Sequence, residues 1–242
     1  MQGTGPVGTH ALGAPRVPAG VQLPARTERV RTILLACGII SSLLYAGTDI
    51  FAALSYEGYS YSSQTVSELI AIGAPTRAVV ASLMLIYGLL IFAFAAGVWR
   101  STGENHALRF VGAGLIGKEV LGSIVTLFFP IHMRGIEGTL SDTMHGLLTL
   151  AGSLCYLLAM GFGAAALGKR FRLYSIVTIL ILVAFGVLAG LEIPRIAANM
   201  ATPWLGIWER INIFAAMLWI AVLAVALLRR SGAFRLDGRQ AS

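Results

Sequence analysis

Apolar positions in this chain neither alternate nor keep to one helical stripe; they fill whole windows. Six windows, at residues 32–54, 78–99, 110–129, 144–167, 173–191 and 211–228, are almost continuously apolar. Each is close to the ~20 residues a helix needs to cross a bilayer at ~1.5 Å per residue. The pattern predicts an all-α, polytopic membrane protein: a six-helix transmembrane bundle over residues 31–229. The first thirty residues carry Pro6, Pro15, Pro18 and Pro24 among Gly and Ala, with no apolar run. They are expected to form a disordered tail, with a second, basic tail at 230–242. The first apolar window is a full span and is expected to stay as a signal anchor. Gln2 excludes N-myristoylation, which needs glycine there.

Composition strengthens this reading. The chain of 242 residues is 57% hydrophobic and 12% charged, with a mean hydropathy of +0.79, too apolar for a soluble domain. The net charge of +7 follows span ends. Arg16, Arg26, Arg29, Arg31, Arg100, Arg109, Lys169, Arg170, Arg172, Arg229, Arg230, Arg235 and Arg239 fall on the side of the chain ends, against Arg77, Arg134, Arg195 and Arg210 on the other. The bias predicts a multi-pass cell (plasma) membrane protein with both termini cytoplasmic. It is a topology signal, and no nucleic-acid partner is expected.

Acids run the opposite way. Asp49, Glu57, Glu68, Glu137, Asp142, Glu192 and Glu209 lie on the outer side or in the outer part of a span. Residues three or four apart share a helix face. On that spacing Ser42, Tyr45 and Asp49 form a stripe on span 1, and Glu119, Ser123 and Thr126 one on span 3. Asp142, His145, Thr149, Gly152 and Tyr156 form one on span 4, and Glu209, Asn212 and Ala216 one on span 6. The stripes are expected to face one another and line a cavity open to the outer side. Ser, Thr and Tyr also serve simply to pack membrane helices. An ionised carboxylate in hydrocarbon costs at least about 2.5 kcal/mol, so Asp49 and Glu119 carry the functional argument. Lys118 and Glu119 are adjacent and point ~100° apart, so each is expected to find its partner on another helix, as a structural pair or a proton relay.

Outer loops hold the densest chemistry. His132, Arg134, Glu137, Asp142 and His145 fall within sixteen residues. Two histidines and a carboxylate suit a divalent metal such as zinc with positions left open for water, which makes His132, Asp142 and His145 candidate metal ligands. Glu68, Glu192 and Glu209 are candidate bases, and Arg134 and Arg195 candidate anion binders. Each has a structural alternative: Ser141 and Asp142 sit where they would cap span 4, and Thr65-Val-Ser-Glu68 matches a capping box opening a short helix. Cys37 and Cys155 lie at different depths, which argues against a disulfide. No P-loop, dinucleotide turn or Gly-x-Ser-x-Gly elbow occurs, and no cofactor site is read beyond that metal.

The run from Gly58 through Tyr59, Tyr61, Thr65 and Glu68 to Gly73-Ala-Pro-Thr-Arg77, the Phe129-Pro-x-His-x-Arg-Gly and Asp142-x-x-His145 segments, and Trp208-Glu-Arg210 resemble the bacterial six-helix membrane proteins catalogued as domain of unknown function 998. The resemblance covers the whole span region. It implies the fold and a membrane location and singles out His132, Arg134, Asp142, His145, Glu68 and Glu209. A looser, fold-level analogy is to membrane hydrolases of the alkaline ceramidase type, which hold zinc through histidines and an aspartate. The intramembrane polar residues are Asp49, Lys118, Glu119, Ser123, Thr149 and Asn212. Three functions stand open: a metal-dependent hydrolase of lipid or envelope substrates, with a lipid or small-molecule ligand on the outer side; a small-solute or proton-coupled carrier using Asp49, Lys118 and Glu119; and a non-catalytic membrane component.

Overall fold

The structure is a computed structural model that describes residues 25–136 and 138–230. Its helices are α1 (Ala25–Ser55), a 3-10 helix (Val66–Ile70), α2 (Arg77–Arg100), α3 (His106–Phe128), α4 (Leu140–Ala166), α5 (Gly168–Leu191), α6 (Ile193–Ala197) and α7 (Leu205–Arg230). Among the described residues, six helical segments are long and apolar enough to span a membrane, and the single β-type contact is an isolated bridge between Ile72 and His132. The chain is therefore an all-α, six-span membrane protein in a lipid bilayer.

Helices run beyond their apolar windows, because backbone hydrogen bonding continues into the interface where polar side chains are hydrated. α1 takes in residues 25–30, ahead of its apolar run. α7 begins at Leu205, which puts Trp208, Glu209 and Arg210 on a helix. Residues 25–30 of the first expected tail are therefore helical, while residues 1–24 and 231–242 of the two expected tails and the loop acid Glu137 lie outside the described residues.

The spanning helices form a closed ring in chain order, α1–α2–α3–α4–α5–α7, with α7 returning to α1. Lipid is as apolar as leucine, so close packing and interhelical hydrogen bonds hold such a ring. Ser42 donates to the Met217 carbonyl at 2.9 Å and joins α1 to α7, while Tyr156 donates to the Ala216 carbonyl at 2.6 Å and joins α4 to α7. Trp219 Nε1 reaches Ser175 Oγ at 2.9 Å and Asn212 the Leu182 carbonyl at 2.7 Å, both from α7 to α5. Gly114 lets α3 approach α4 closely: a Cβ there would stand 2.8 Å from the Cys155 carbonyl. Toward the chain ends the interior is filled by one apolar core that includes Leu35, Ile91, Phe94, Val98, Leu115, Met160, Trp219 and Leu223. Cys37 and Cys155 are free.

The opposite end is polar and built over by loops. Thr65 and Glu68 form the expected capping box on the 3-10 helix. Thr139 and Asp142 form another on α4, so Asp142 is the third-position partner of the cap and Thr139 the cap itself. Leu69 is fully buried with Ala52 and Val80, which seats the 3-10 helix across the ends of α1 and α2.

Candidate functional site

Two buried arginine–carboxylate pairs pin this cap. Arg210 of α7 grips Asp49 of α1 with both arms of its guanidinium, Nε to Oδ2 at 3.0 Å and Nη2 to Oδ1 at 2.9 Å. The side chains are 3% and 1% exposed, so the charges are compensated inside the protein. Arg210 also donates to the Tyr61, Gln64 and Gly206 carbonyls and the Tyr59 hydroxyl, and lies 3.6 Å over the Tyr61 ring. Tyr61 in turn donates to Asp49 at 2.9 Å.

The second pair joins Arg134 to Glu68. Nε and Nη2 of Arg134 reach the two carboxylate oxygens at 2.5 and 2.9 Å, Nη1 donates to Thr202 at 2.7 Å and Nη2 to the Ser63 carbonyl at 2.8 Å. Burial pushes the Glu68 carboxyl up, but the bonds from Arg134 and the Thr65 amide outweigh it and hold the group below the ordinary carboxylate range. Glu209, on the next helix position to Arg210, accepts the Val66 amide at 2.6 Å. The candidate base Glu68, the candidate anion binder Arg134 and Glu209 thus hold the 3-10 helix in place.

Beneath that helix lies a cavity of about 160 Å³ between α1, α2, α3 and α4. Val80, Met84 and Leu85 of α2, with Leu69, Ile70 and Val125, make an apolar wall. Polar lining comes from Tyr45, Thr48 and Asp49 of α1, Tyr87 of α2, Lys118, Glu119, Ser123 and Thr126 of α3, His145 and Thr149 of α4, and Ser67 of the 3-10 helix. Thr48 is 3% exposed, and its hydroxyl has no hydrogen-bond partner among the described residues. Of the predicted stripes, all of span 3, Tyr45 and Asp49 of span 1 and His145 and Thr149 of span 4 meet here, whereas Ser42 and Tyr156 bond to α7 and Asp142 caps α4. The stripe of span 6 does not: Glu209, Asn212 and Ala216 spend their polar atoms on the 3-10 helix, α5 and α4.

His145 sits at the cavity's upper edge, 8% exposed. Its Nδ1 lies 2.8 Å from the Phe129 carbonyl, which can only accept, so Nδ1 carries a proton and Nε2 is the ring nitrogen left to act as a base. Nε2 lies 3.2 Å from Ser67 Oγ. A hydroxyl facing a basic nitrogen, with the ring oriented from its far side, is the geometry of an activated nucleophile.

Of the three candidate metal ligands, His132 and Asp142 bond to each other and His145 bonds elsewhere. Asp142 receives the His132 amide at 2.7 Å, His132 Nδ1 at 3.0 Å and the Thr139 amide at 2.9 Å, while His145 turns to Phe129 and Ser67. Among the described residues no group of three His, Cys, Asp or Glu side chains is arranged to hold a metal ion. Glu192 and Arg195 pair with each other at 3.3 Å and neither lines the cavity.

At the cavity floor Lys118 meets a group on another helix as expected, the Tyr87 hydroxyl of α2, but it also pairs with Glu119, which was expected to find its partner elsewhere. Lys118 Nζ lies 3.0 Å from Glu119 Oε2 and 3.4 Å from the Tyr87 hydroxyl. The four-carbon lysine stem swings across the ~100° between neighbouring helix positions and reaches the carboxylate beside it.

Sequence reasoning missed Ser67, Tyr87 and the pairing of Arg210. Ser67 stood inside the capping-box motif, where a serine has a structural explanation. Arg210 had a usable signal: a carboxylate as deep as Asp49 demands a cation, and few basic residues occur at that end.

Comparison with curated proteins found no match. Comparison with solved structures found none either. A family description does match, over residues 39–226, from the middle of α1 almost to the end of α7. By that match the chain belongs to the family described as Protein of unknown function (DUF998).

Proposed function

We propose that the cavity is the working site of a membrane hydrolase that acts on lipid or envelope substrates from the outer side, with His145 as the general base. The observation that carries this reading is a buried histidine whose basic nitrogen faces a hydroxyl inside a partly enclosed cavity. A packed core fills the bundle between that cavity and the chain-end side, which favours chemistry at one face over passage across the membrane. The basic residues at the chain-end side support cytoplasmic termini in the cell membrane, and so a cavity that faces outward. His132 and Asp142 are engaged with each other and with the cap of α4, whereas His145 faces Ser67, so the hydrolytic reading runs through His145 and Ser67. A test is hydrolysis of ester and amide substrates by protein purified in detergent, beside His145→Asn, which keeps a donor for the Phe129 carbonyl but no base. Loss of hydrolysis by about 10²-fold or more supports the reading; no hydrolysis by wild-type protein sinks it.

One observation favours a proton-coupled carrier as the second reading: the Lys118–Glu119 pair lies within the α3 span and lines the same cavity. Solute uptake into vesicles that collapses with Glu119→Gln and survives His145→Asn would favour it over hydrolysis.

A further inference from the structure

We infer that Ser67 is the nucleophile of a covalent route and that the substrate is an ester of a short acyl group carried on a larger molecule. The inference rests on the hydrolase reading and adds to it a residue, an intermediate and a size limit.

Three features of the cavity carry it. Ser67 Oγ stands 3.2 Å from His145 Nε2, within reach for proton transfer, and Ser67 is partly exposed where His145 is buried. The 3-10 helix that bears Ser67 is held on both sides, by Glu209 on the Val66 amide and by Arg134 on Glu68, so the hydroxyl is presented by a braced element. The cavity measures about 160 Å³, below the roughly 300–1,000 Å³ of pockets that enclose drug-sized ligands. The Val80, Met84 and Leu85 wall accepts an acyl group of a few carbons. It has no room for a long fatty chain, so the alcohol part of the substrate stays at the mouth.

The step balances with water alone. Ser67 Oγ bonds to the ester carbonyl carbon as its proton passes to His145 Nε2. The carbon–oxygen bond to the alcohol then breaks, and the departing oxygen takes that proton. Water attacks the acyl-serine, gives a proton to Nε2 and displaces Ser67 Oγ, which recovers the proton. The products are the alcohol and a short carboxylic acid.

The experiment uses the full chain in detergent with 4-nitrophenyl acetate, butyrate and palmitate, and a fluorophosphonate probe whose attachment site is mapped by peptide mass spectrometry. Ser67→Ala, His145→Asn and, as a control on the lipid-facing side of α4, Ser153→Ala are compared after thermal unfolding has checked their folding. The expected result is label on Ser67, acetate or butyrate cleaved at least 10-fold faster than palmitate, and a loss of about 10²–10⁴-fold in Ser67→Ala and His145→Asn but not in Ser153→Ala. Cleavage that survives Ser67→Ala and falls with His145→Asn overturns the acyl-serine and leaves direct attack by water, so the hydrolase reading stands without it. Label on another serine, or a preference for palmitate, overturns the inference by itself. No cleavage of any ester together with no label on wild-type protein overturns both. Because mapping is done on wild-type protein, the result does not depend on Ser67→Ala folding.

Discussion

Asp49→Ala tests whether the Arg210 clasp holds the outer end of the bundle. The substitution removes two guanidinium bonds and the Tyr61 hydroxyl bond, and leaves a guanidinium that is 3% exposed without its paired carboxylate. Breaking one partner of a buried pair costs about 3–5 kcal/mol, because the other charge stays desolvated. For a domain of this size that corresponds to a fall of roughly 6–20 °C in Tm. Arg210→Met should cost at least as much, since it also strips donors from the Tyr61, Gln64 and Gly206 carbonyls. Joining the two removes both orphaned charges, so the double variant should be less destabilised than the sum of the singles by about 2 kcal/mol or more. The assay is the fraction of protein that remains monodisperse on size exclusion after heating in detergent. Glu28→Ala, which breaks the more exposed Glu28–Arg31 pair, serves as a control expected to cost about 1 kcal/mol or less. A fall of under 2 °C for Asp49→Ala, or strict additivity in the double variant, would refute the reasoning.

Acid should loosen the 3-10 helix. The Glu68 carboxyl is depressed in the folded protein, so its contribution is present above the unfolded carboxylate pKa near ~4.3 and is lost as pH falls through the lower folded value. Glu68→Gln should flatten the stability profile between about pH 5 and pH 2, and an unchanged slope would contradict the assignment. Gly206→Ala places a Cβ against the Tyr61 carbonyl, 2.5 Å from the Gln64 carbonyl and 2.9 Å from that of Ser62. Backbone cannot yield there as a side-chain tip can, so a loss of about 1–3 kcal/mol is expected in the same thermal assay. Elemental mass spectrometry on purified protein should find zinc well below one per chain, unaltered by His145→Ala or Asp142→Asn. Stoichiometric zinc abolished by both would restore the metal centre and remove His145 from its role with Ser67.

Six spans and the capping box of the 3-10 helix were legible because both are local properties. A window of apolar residues declares a membrane helix whatever surrounds it, and Thr65–Glu68 closes its capping box within four residues. Depth was legible too: Asp49 and Glu119 stood out because hydrocarbon makes an ionised group costly wherever it occurs. Partner choice was not. Asp49 and Arg210 are separated by 161 residues and Glu68 and Arg134 by 66, and closure of the ring of helices selects those pairs from several acids and arginines at one end. Tertiary structure likewise turned Asn212 of the span 6 stripe toward α5, paired His132 with Asp142 apart from His145, and set Ser67 against His145, 78 positions apart. Spacing along one helix reports which residues share a face, whereas the rotation and tilt that aim that face come from packing against neighbours that lie far away in the chain.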